Sequence, residues 1–427
     1  MFKNLRHYWR IIYISCVFLK NRKNIATSLE ELGPAFIKLG QFLSTRPDLI
    51  GQKMAESFDY LRDQLPSFPF KQVQKIILSE FGQEIEALYS EFSEIPVAAA
   101  SIAQVHKAIT TDGHQVAVKV RRPNIDKILL QEIEFFYFIA KILNKLFPKY
   151  KRLKLMEVVK TIETSFKFEL DLSFEAAAAG ELLEKNKLEY ICIPKVDWLR
   201  TSQKIFTMEW VDAVSIYEKE KLLAMNIDLT KLATNFAVMF FSQSFVNGFF
   251  HADLHQGNIM INKEGQIILL DFGIMGRLDD NNRLYVAQIL HGFLNRDYDL
   301  IAKIHHQAGY VSHEYSAEVF AQSCRAIGEP IMNLAPSQIS IAKLLGQLFR
   351  VTEDFQMETQ PQLLLLQKTM IMVEGIGKIL CPEQNLWMLA EGWIKNWAKD
   401  NVSVEAKAAK LVKKMVKQFL AKFKEEL

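Results

Sequence analysis

Between Phe250 and Ile274 the chain reads FHADLHQGNIMINKEGQIILLDFGI. Two acidic clusters flank a short hairpin-like segment. Asp253 has Asn258 five residues on, and Asp271 is followed by Phe272 and Gly273. Between them, Glu264-Gly265 reads as a turn and Gln266–Leu270 as a strand. The separation, 271 − 253 = 18 residues, suits a loop, a hairpin and a strand end. Phosphoryl transfer needs such a set. One acid orients the attacking hydroxyl, another holds Mg2+ against the phosphates, and a nearby Asn completes the metal shell. A rival reading uses His251, Asp253 and His255, all sound ligands for a hydrolytic metal. It leaves Asn258 and the Asp-Phe-Gly triplet without a purpose.

The 427 residues suffice for two or more domains and a sizeable core. Hydrophobic content of 49% and charged content of 24% are an ordinary globular balance. A net charge of +3 is too small to argue for a nucleic-acid partner. Cys16, Cys192, Cys324 and Cys381 stand far apart without metal-ligand spacing, so a reduced, cytoplasmic protein is expected. Ile128–Phe147 and Phe236–Phe250 are the most apolar runs, and charged or polar residues break both. No transmembrane helix is therefore expected.

The positive charge gathers at the two ends. Residues 1–24 carry Lys3, Arg6, Arg10, Lys20, Arg22 and Lys23 and no acid, around the apolar run Ile11–Leu19 with Tyr8, Trp9 and Tyr13. Lys20-Asn21-Arg22-Lys23 argues against a signal-peptide cleavage site. Residues 404–427 place Leu411, Met415, Phe419, Phe423 and Leu427 on one stripe, flanked by Val412, Val416 and Leu420. Lys407, Lys410, Lys413, Lys414, Lys417, Lys422 and Lys424 cover the rest. Each end reads either as an amphipathic segment on an anionic membrane surface or as a helix docked on its own domain.

The spacing D-x-x-x-x-N followed by D-F-G is that of protein-kinase-like catalytic loops. Upstream, the turn Thr111-Asp112-Gly113 leads into QVAVKV at Gln115–Val120, which alternates toward a strand. In a kinase reading, Val97, Ala98, Ala99, Ala100, Ser101 and Val105 form the nucleotide cradle and Lys119 grips the phosphates. Alanine permits close backbone approach but stiffens the loop relative to glycine. By itself, V-A-V-K is equally any half-buried strand ending in a surface lysine. Gly33-Pro34 opens a helix within Leu29–Ile50, with Lys38 and Gln41 sharing a face. Residues 53–92 read as helical with a break at Pro66–Pro69. Asn124–Lys145 and Lys151–Lys187 read as long helices, the second carrying Glu169, Asp171 and Glu175. The spacing 175 − 169 = 6 separates Glu169 and Glu175 by face, so different jobs are expected. Lys204–Val211 reads as a strand whose backbone at Glu209 and Val211 would meet a base edge. Leu229–Val246 reads as a core helix, and the chain past Gly276 as mostly helical to Lys399. No A-P-E-like element follows Gly273, so no long peptide-docking segment is expected.

Taken together, these elements resemble the AarF/UbiB family of atypical protein-kinase-like proteins, which act in ubiquinone biosynthesis. The resemblance covers about residues 29–280. It rests on K-x-G-Q at Lys38–Gln41, A-A-A-S at Ala98–Ser101, V-A-V-K ending at Lys119, E-x-D at Glu169–Asp171, H-A-D-x-H-x-G-N at His251–Asn258, and D-F-G. It implies an α+β, bilobal kinase-like fold, with an N-terminal helical extension (1–92), an N-lobe (93–211), a mostly helical C-lobe (212–400) and a basic terminal helix (401–427). It also implies Mg-ATP as cofactor. Asp253 would be the catalytic acid or base, Asn258 and Asp271 the Mg2+ ligands, and Lys119 the phosphate contact paired with Glu175. Lys38, Gln41, Glu169 and Asp171 would gate the site and disfavour protein phosphorylation in trans. ATP hydrolysis or work on lipid-like quinone precursors is the implied activity. The alternative is a non-catalytic, nucleotide-gated scaffold or lipid-presenting chaperone for quinone-biosynthesis enzymes. Gln256 stands where the family usually has proline. The Lys-rich end replaces the transmembrane helices of many bacterial members, so peripheral contact with the inner face of a membrane is expected.

Overall fold

Alternation along Gln115–Arg121 builds the centre of the first sheet. Val116, Val118 and Val120 are buried on one face, which puts Lys119 on the other. The structure is a computed structural model. It describes residues 2–21, 25–44, 50, 51, 54, 57, 58, 61, 65–146, 155–255, 257–312, 314–334, 338, 340, 344–348, 351, 355, 360–382 and 385. The chain divides into two compact units. The first comprises Met1–Glu184, Ile193–Asp212 and Asp271–Gly273, and the second Lys185–Cys192, Ala213–Leu270 and Ile274–Leu427.

The first unit opens with α1 (Phe2–Lys20), α2 (Ile25–Leu32), α3 (Pro34–Ser44), α4 (Phe70–Phe81) and the short α5 (Ile85–Leu88). Then come β1 (Tyr89–Phe92), β2 (Ala98–Ala99), β3 (Ala103–Thr110) and β4 (Gln115–Arg121). Helices α6 (Ile125–Leu146), α7 (Leu155–Leu170) and α8 (Leu172–Lys185) follow. The sheet is closed by β6 (Ile205–Glu209), numbered after β5 (Ile191–Cys192) of the second unit. The strand order is β1-β3-β4-β6, all antiparallel, with β2 folded back on β3. Val73, Ile76 and Ile77 of α4, at helical spacing, pack under the valines of β4. A separate apolar cluster joins α2, α3, α6 and α7, where Phe36 meets Phe136 edge to face at 5.4 Å.

In the second unit β10 (Ile267–Leu269) is central to a four-stranded sheet of order β5-β10-β9-β7, with β7 at Val214–Ser215 and β9 at Ile259–Ile261. β5 joins it parallel and β9 antiparallel. A two-stranded ribbon pairs β8 (Phe249–His251) with β11 (Met275–Arg277). Around them lie α9 (Lys219–Ala224), α10 (Leu229–Phe241), α11 (Asp280–Leu294), α12 (Tyr298–Gln307), α13 (Ala317–Met332) and α14 (Pro361–Leu380). Asp228 caps α10 by accepting from the Thr230 and Lys231 amides. Phe236, Phe240, Phe249 and Phe250 form the fully buried centre.

Four segments differ from the sequence reading. Tyr89–Phe92 is a strand paired with β3, not the end of a helix, because Tyr89 and Phe92 have a hydrophobic seat beside Ala108 and His106. The single helix expected over Lys151–Lys187 is two helices. Asp171 interrupts it by taking the Ser173 amide and hydroxyl at 3.0 and 2.5 Å. Ala98 and Ala99, expected in a loop, form the short β2. The helix expected to Val246 is α-helical only to Phe241. The basic segment 404–427 and Gln256 lie outside the described residues. Among those described, no helix is long and apolar enough to cross a membrane.

Candidate active site

Within the first unit, three charges meet. Lys119, held in register between Val105 of β3 and Phe206 of β6, donates to Glu175 Oε1 and Oε2 at 2.7 and 2.9 Å. It also reaches Asp271 Oδ2 at 3.3 Å. Glu175 lies in the first turn of α8, where a helix N-terminus favours a carboxylate. Ala176 and Ala179 on the same helix are fully buried, as small side chains at a close packing face should be. Burial alone disfavours a charged Lys119, but the Asp271 and Glu175 carboxylates outweigh it and hold its pKa above the ordinary lysine value. Burial raises the pKa of Glu175, which the Lys119 ammonium opposes and the Asp271 charge reinforces. Asp271 is the accessible carboxylate of the three groups, its side chain 45% exposed. Its backbone sits at φ 57°, a left-handed conformation that Asp and Asn tolerate better than most residues.

The E-x-D acids do separate work. Glu169, near the end of α7, takes Lys38 of α3 at 3.1 Å. Asp171 caps α8, and so fixes the helix that carries Glu175. Gln41 lies one turn beyond Lys38 on α3 and is half-buried. The alanine-rich hairpin is tied down by Arg122, whose Nε donates to the Ala100 carbonyl at 2.8 Å. Ser101 is buried, Ala99, Ala100 and Val105 are half-buried, and Val97 and Ala98 are exposed. At the far end of β6 the Glu209 amide donates to the Lys195 carbonyl at 2.9 Å, so a base contact at this residue would fall to its carbonyl. Val211 follows two residues on and is half-buried.

The H-A-D loop belongs to the second unit. The His251 Nδ1 accepts from the Asp253 amide at 3.2 Å. Its Nε2 therefore carries the hydrogen and donates to the Leu270 carbonyl at 2.9 Å. With both ring nitrogens engaged, His251 is no metal ligand, which disposes of the hydrolytic-metal reading. Among the described residues, no group of three or more His, Cys, Asp or Glu could hold a metal ion. Asn258 is buried, and its Nδ2 donates to the Asp253 carbonyl at 3.0 Å. That bond directs the loop and makes Oδ1 the atom with which Asn258 would meet a cation. Asp253 is half-buried, with His255 Nε2 at 3.7 Å from Oδ2.

Each unit, taken by itself, offers donors suited to phosphate or cation chemistry. The first unit offers a charged lysine beside an accessible carboxylate, and the second offers a carboxylate and an amide oxygen five residues apart. Sequence reasoning missed Arg122, Gln104 and Gln243. None belongs to a spacing pattern, and each is defined by a polar contact that only the fold supplies. Gln104, for instance, accepts from the Phe68 amide at 2.9 Å and bonds His106 at 2.9 Å, beneath the hairpin.

Residues 60–305 match the family described as ABC1 atypical kinase-like domain, and residues 324–385 match the UbiB helical domain. The chain is 39% identical over 391 residues to a protein of Marinobacter nauticus named probable protein kinase UbiB, covering 90% of this chain and 71% of that one. A protein of Pseudomonas aeruginosa PAO1 with the same name is 36% identical over 402 residues, covering 92% and 75%. Among solved structures, the Rv3197–erythromycin complex from Mycobacterium tuberculosis matches with a TM-score of 0.55 and 23% identity, covering 76% of this chain and 83% of that one. At that identity the likeness speaks for the fold alone.

Proposed function

The chain belongs to the UbiB family of ABC1 atypical kinase-like proteins, and from that premise we propose that it binds Mg-ATP and spends its energy in support of ubiquinone biosynthesis at a membrane surface. The observation that carries this reading is the buried Lys119–Glu175 pair with Asp271 at its open side. A structural ion pair has no use for the second carboxylate. A phosphate-binding lysine beside a metal-binding acid does.

In this reading Lys119 contacts the phosphates and Glu175 aims it. Val97, the hairpin Ala98–Ser101 and Val105 cradle the nucleotide, and backbone groups at Glu209 and Val211 meet the base. Asn258 and Asp271 hold Mg2+. Bound there, the cation supplies charge neutralisation on the phosphate oxygens. Asp253 orients the acceptor, whether water or a lipid-like quinone precursor. Lys38, Gln41, Glu169 and Asp171 restrict access, which disfavours a peptide acceptor. The Lys38–Glu169 pair supports that role, because it ties α3, which carries K-x-G-Q, to the end of α7, where E-x-D begins.

Membrane contact is supported by α1. Ile11 and Ile14 pack against the helical cluster, while Trp9, Ile12, Tyr13 and Leu19 are 67, 54, 54 and 56% exposed. One face of the helix docks and the other is left apolar. We therefore assign the protein a peripheral place on the inner, cytoplasmic face of a membrane, among quinone-biosynthesis enzymes.

The test is Asp271→Asn. Asparagine keeps the shape and tolerates the left-handed backbone, so only the charge is removed. Mg-dependent ATP binding or turnover should be abolished, and unchanged turnover would remove the metal assignment. In cells carrying Asp253→Asn, lipid extraction should reveal an accumulated quinone precursor and so name the step.

A further inference from the structure

Gln243 bears no signature of phosphate chemistry, yet it is buried beside the loop that carries Asp253. Helix α10 does not end in α-helical form. It widens into one turn of π-helix, Ser242–Asn247, closed by the Gly248 amide donating to the Gln243 carbonyl five residues back. Such turns are rare and concentrate at functional sites. Gly248 then takes φ 63°, and a Cβ there would meet the Leu278 carbonyl oxygen at 2.5 Å, so the chain turns at once into β8.

This detour brings the Gln243 amide to the end of β8, where its Oε1 accepts from the His251 N–H at 3.1 Å. Alternate amides of an antiparallel strand face its partner. On β8 the ribbon bond is made by the next residue, Ala252 to the Ile274 carbonyl at 3.1 Å. The His251 amide therefore points away from β11, and Gln243 supplies its acceptor. The same His251 holds the Asp253 amide through Nδ1 and the Leu270 carbonyl, one residue before Asp271, through Nε2.

We propose that Gln243 is a positioning residue for the catalytic loop. Through the His251 backbone it fixes the imidazole that orients Asp253 and the strand end leading to Asp271. The kinetic half of this proposal rests on the Mg-ATP reading; the structural half does not.

The experiment uses the full-length protein, with Gln243→Met (acceptor removed) and Gln243→Glu (acceptor kept). Peptide-resolved hydrogen exchange and Mg-ATP turnover are measured on both and on wild type. In Gln243→Met the amides of 249–254 should exchange ~10-fold faster while those of β9 and β10 are unchanged, and kcat should fall ~10-fold at constant KM for ATP. Gln243→Glu should restore both. Wild-type exchange at 249–254 in the Met variant overturns the proposal. So does an equal rise in β9 and β10, or a Glu variant as impaired as Met, since either means that the side chain only fills space. If Gln243→Met does not fold, Gln243→Asn, which withdraws the amide from His251, takes its place. A wild-type protein without turnover would sink the Mg-ATP reading, and exchange alone would then decide the role of Gln243.

Discussion

Lys119 is paired with more negative charge than it needs. Glu175 already neutralises it through two short bonds, and both side chains are shielded from water. Removing the lysine should therefore expose the cost of the acid left behind. Lys119→Met leaves Glu175 buried and uncompensated, which costs about 3 kcal/mol at neutral pH by analogy with other broken buried pairs. The sign with pH follows from the raised pKa of Glu175. A carboxyl whose folded pKa lies above its unfolded value contributes stability below the unfolded pKa and loses it as pH rises through the folded one. Chemical unfolding of Lys119→Met should show higher stability at pH 5 than at pH 8, and Lys119→Met/Glu175→Gln should abolish that slope. A single variant with no pH slope would mean that Glu175 finds another partner. At this scale the chain was partly readable. Asp253, Asn258 and Asp271 stand in the D-x-x-x-x-N and D-F-G patterns and Lys119 ends V-A-V-K, so sequence alone singles them out. It does not single out Gln243 and Arg122, because a buried amide or a carbonyl clamp is chosen by whatever the fold brings beside it.

Helix α8 presents Glu175, and the start of that helix is set by one side chain. Asp171 accepts from the Ser173 amide. Asp171→Ala should lower stability by about 1 kcal/mol, and Asp171→Ser should recover most of it, since serine also caps. The pair separates two roles. If Asp171 gates the site, Asp171→Ser will be as stable as wild type and still altered in nucleotide turnover. If it only caps, serine will restore both. Helix α3 has an equally local constraint at Gly40, where a Cβ would lie 2.2 Å from Leu61 Cδ1 and 2.8 Å from Leu29 Cδ1. Gly40→Ala should overpack this contact and lower stability by about 1–3 kcal/mol in a denaturant titration. The third residue of K-x-G-Q thus has a packing reason, distinct from the charge of Lys38. Elements with strong periodicity, such as β4, α6 and α10, were legible from their side chains. The break at Asp171 was not, because 151–187 is apolar-periodic on both sides of it and a capping aspartate looks like any solvated acid. Tyr89–Phe92 was missed for a related reason: four residues are too few to display a period, and their partner strand lies some twenty residues on.

For the molecule as a whole, the proposed membrane contact has two candidate surfaces, and magnitudes rank them. Burying Trp9, Ile12, Tyr13 and Leu19 in an interface gains roughly 1.5–3 kcal/mol for each fully covered side chain. A basic residue near an anionic surface adds about 1 kcal/mol. On α1 that second contribution is reduced, since Arg10 is already paired with Glu132 and Lys20 with Glu31. Apolar contact should therefore outweigh charge. In flotation assays with phosphatidylglycerol-containing vesicles, Trp9→Glu/Tyr13→Glu should weaken binding more than a rise in salt from 50 to about 200 mM, whose effect is bounded by screening. Both positions face solvent, so the thermal unfolding midpoint should hold, whereas a charge at buried Val17 would disturb the fold itself. Deleting 404–427 supplies the opposing outcome. If that deletion alone abolishes flotation and the double substitution has no effect, the lysine-rich end carries the contact and α1 serves only to dock. If binding is lost with the double substitution and weakened by salt, the exposed stripe of α1 is the membrane face, and the paired Arg10 and Lys20 hold the helix so that it can present that face.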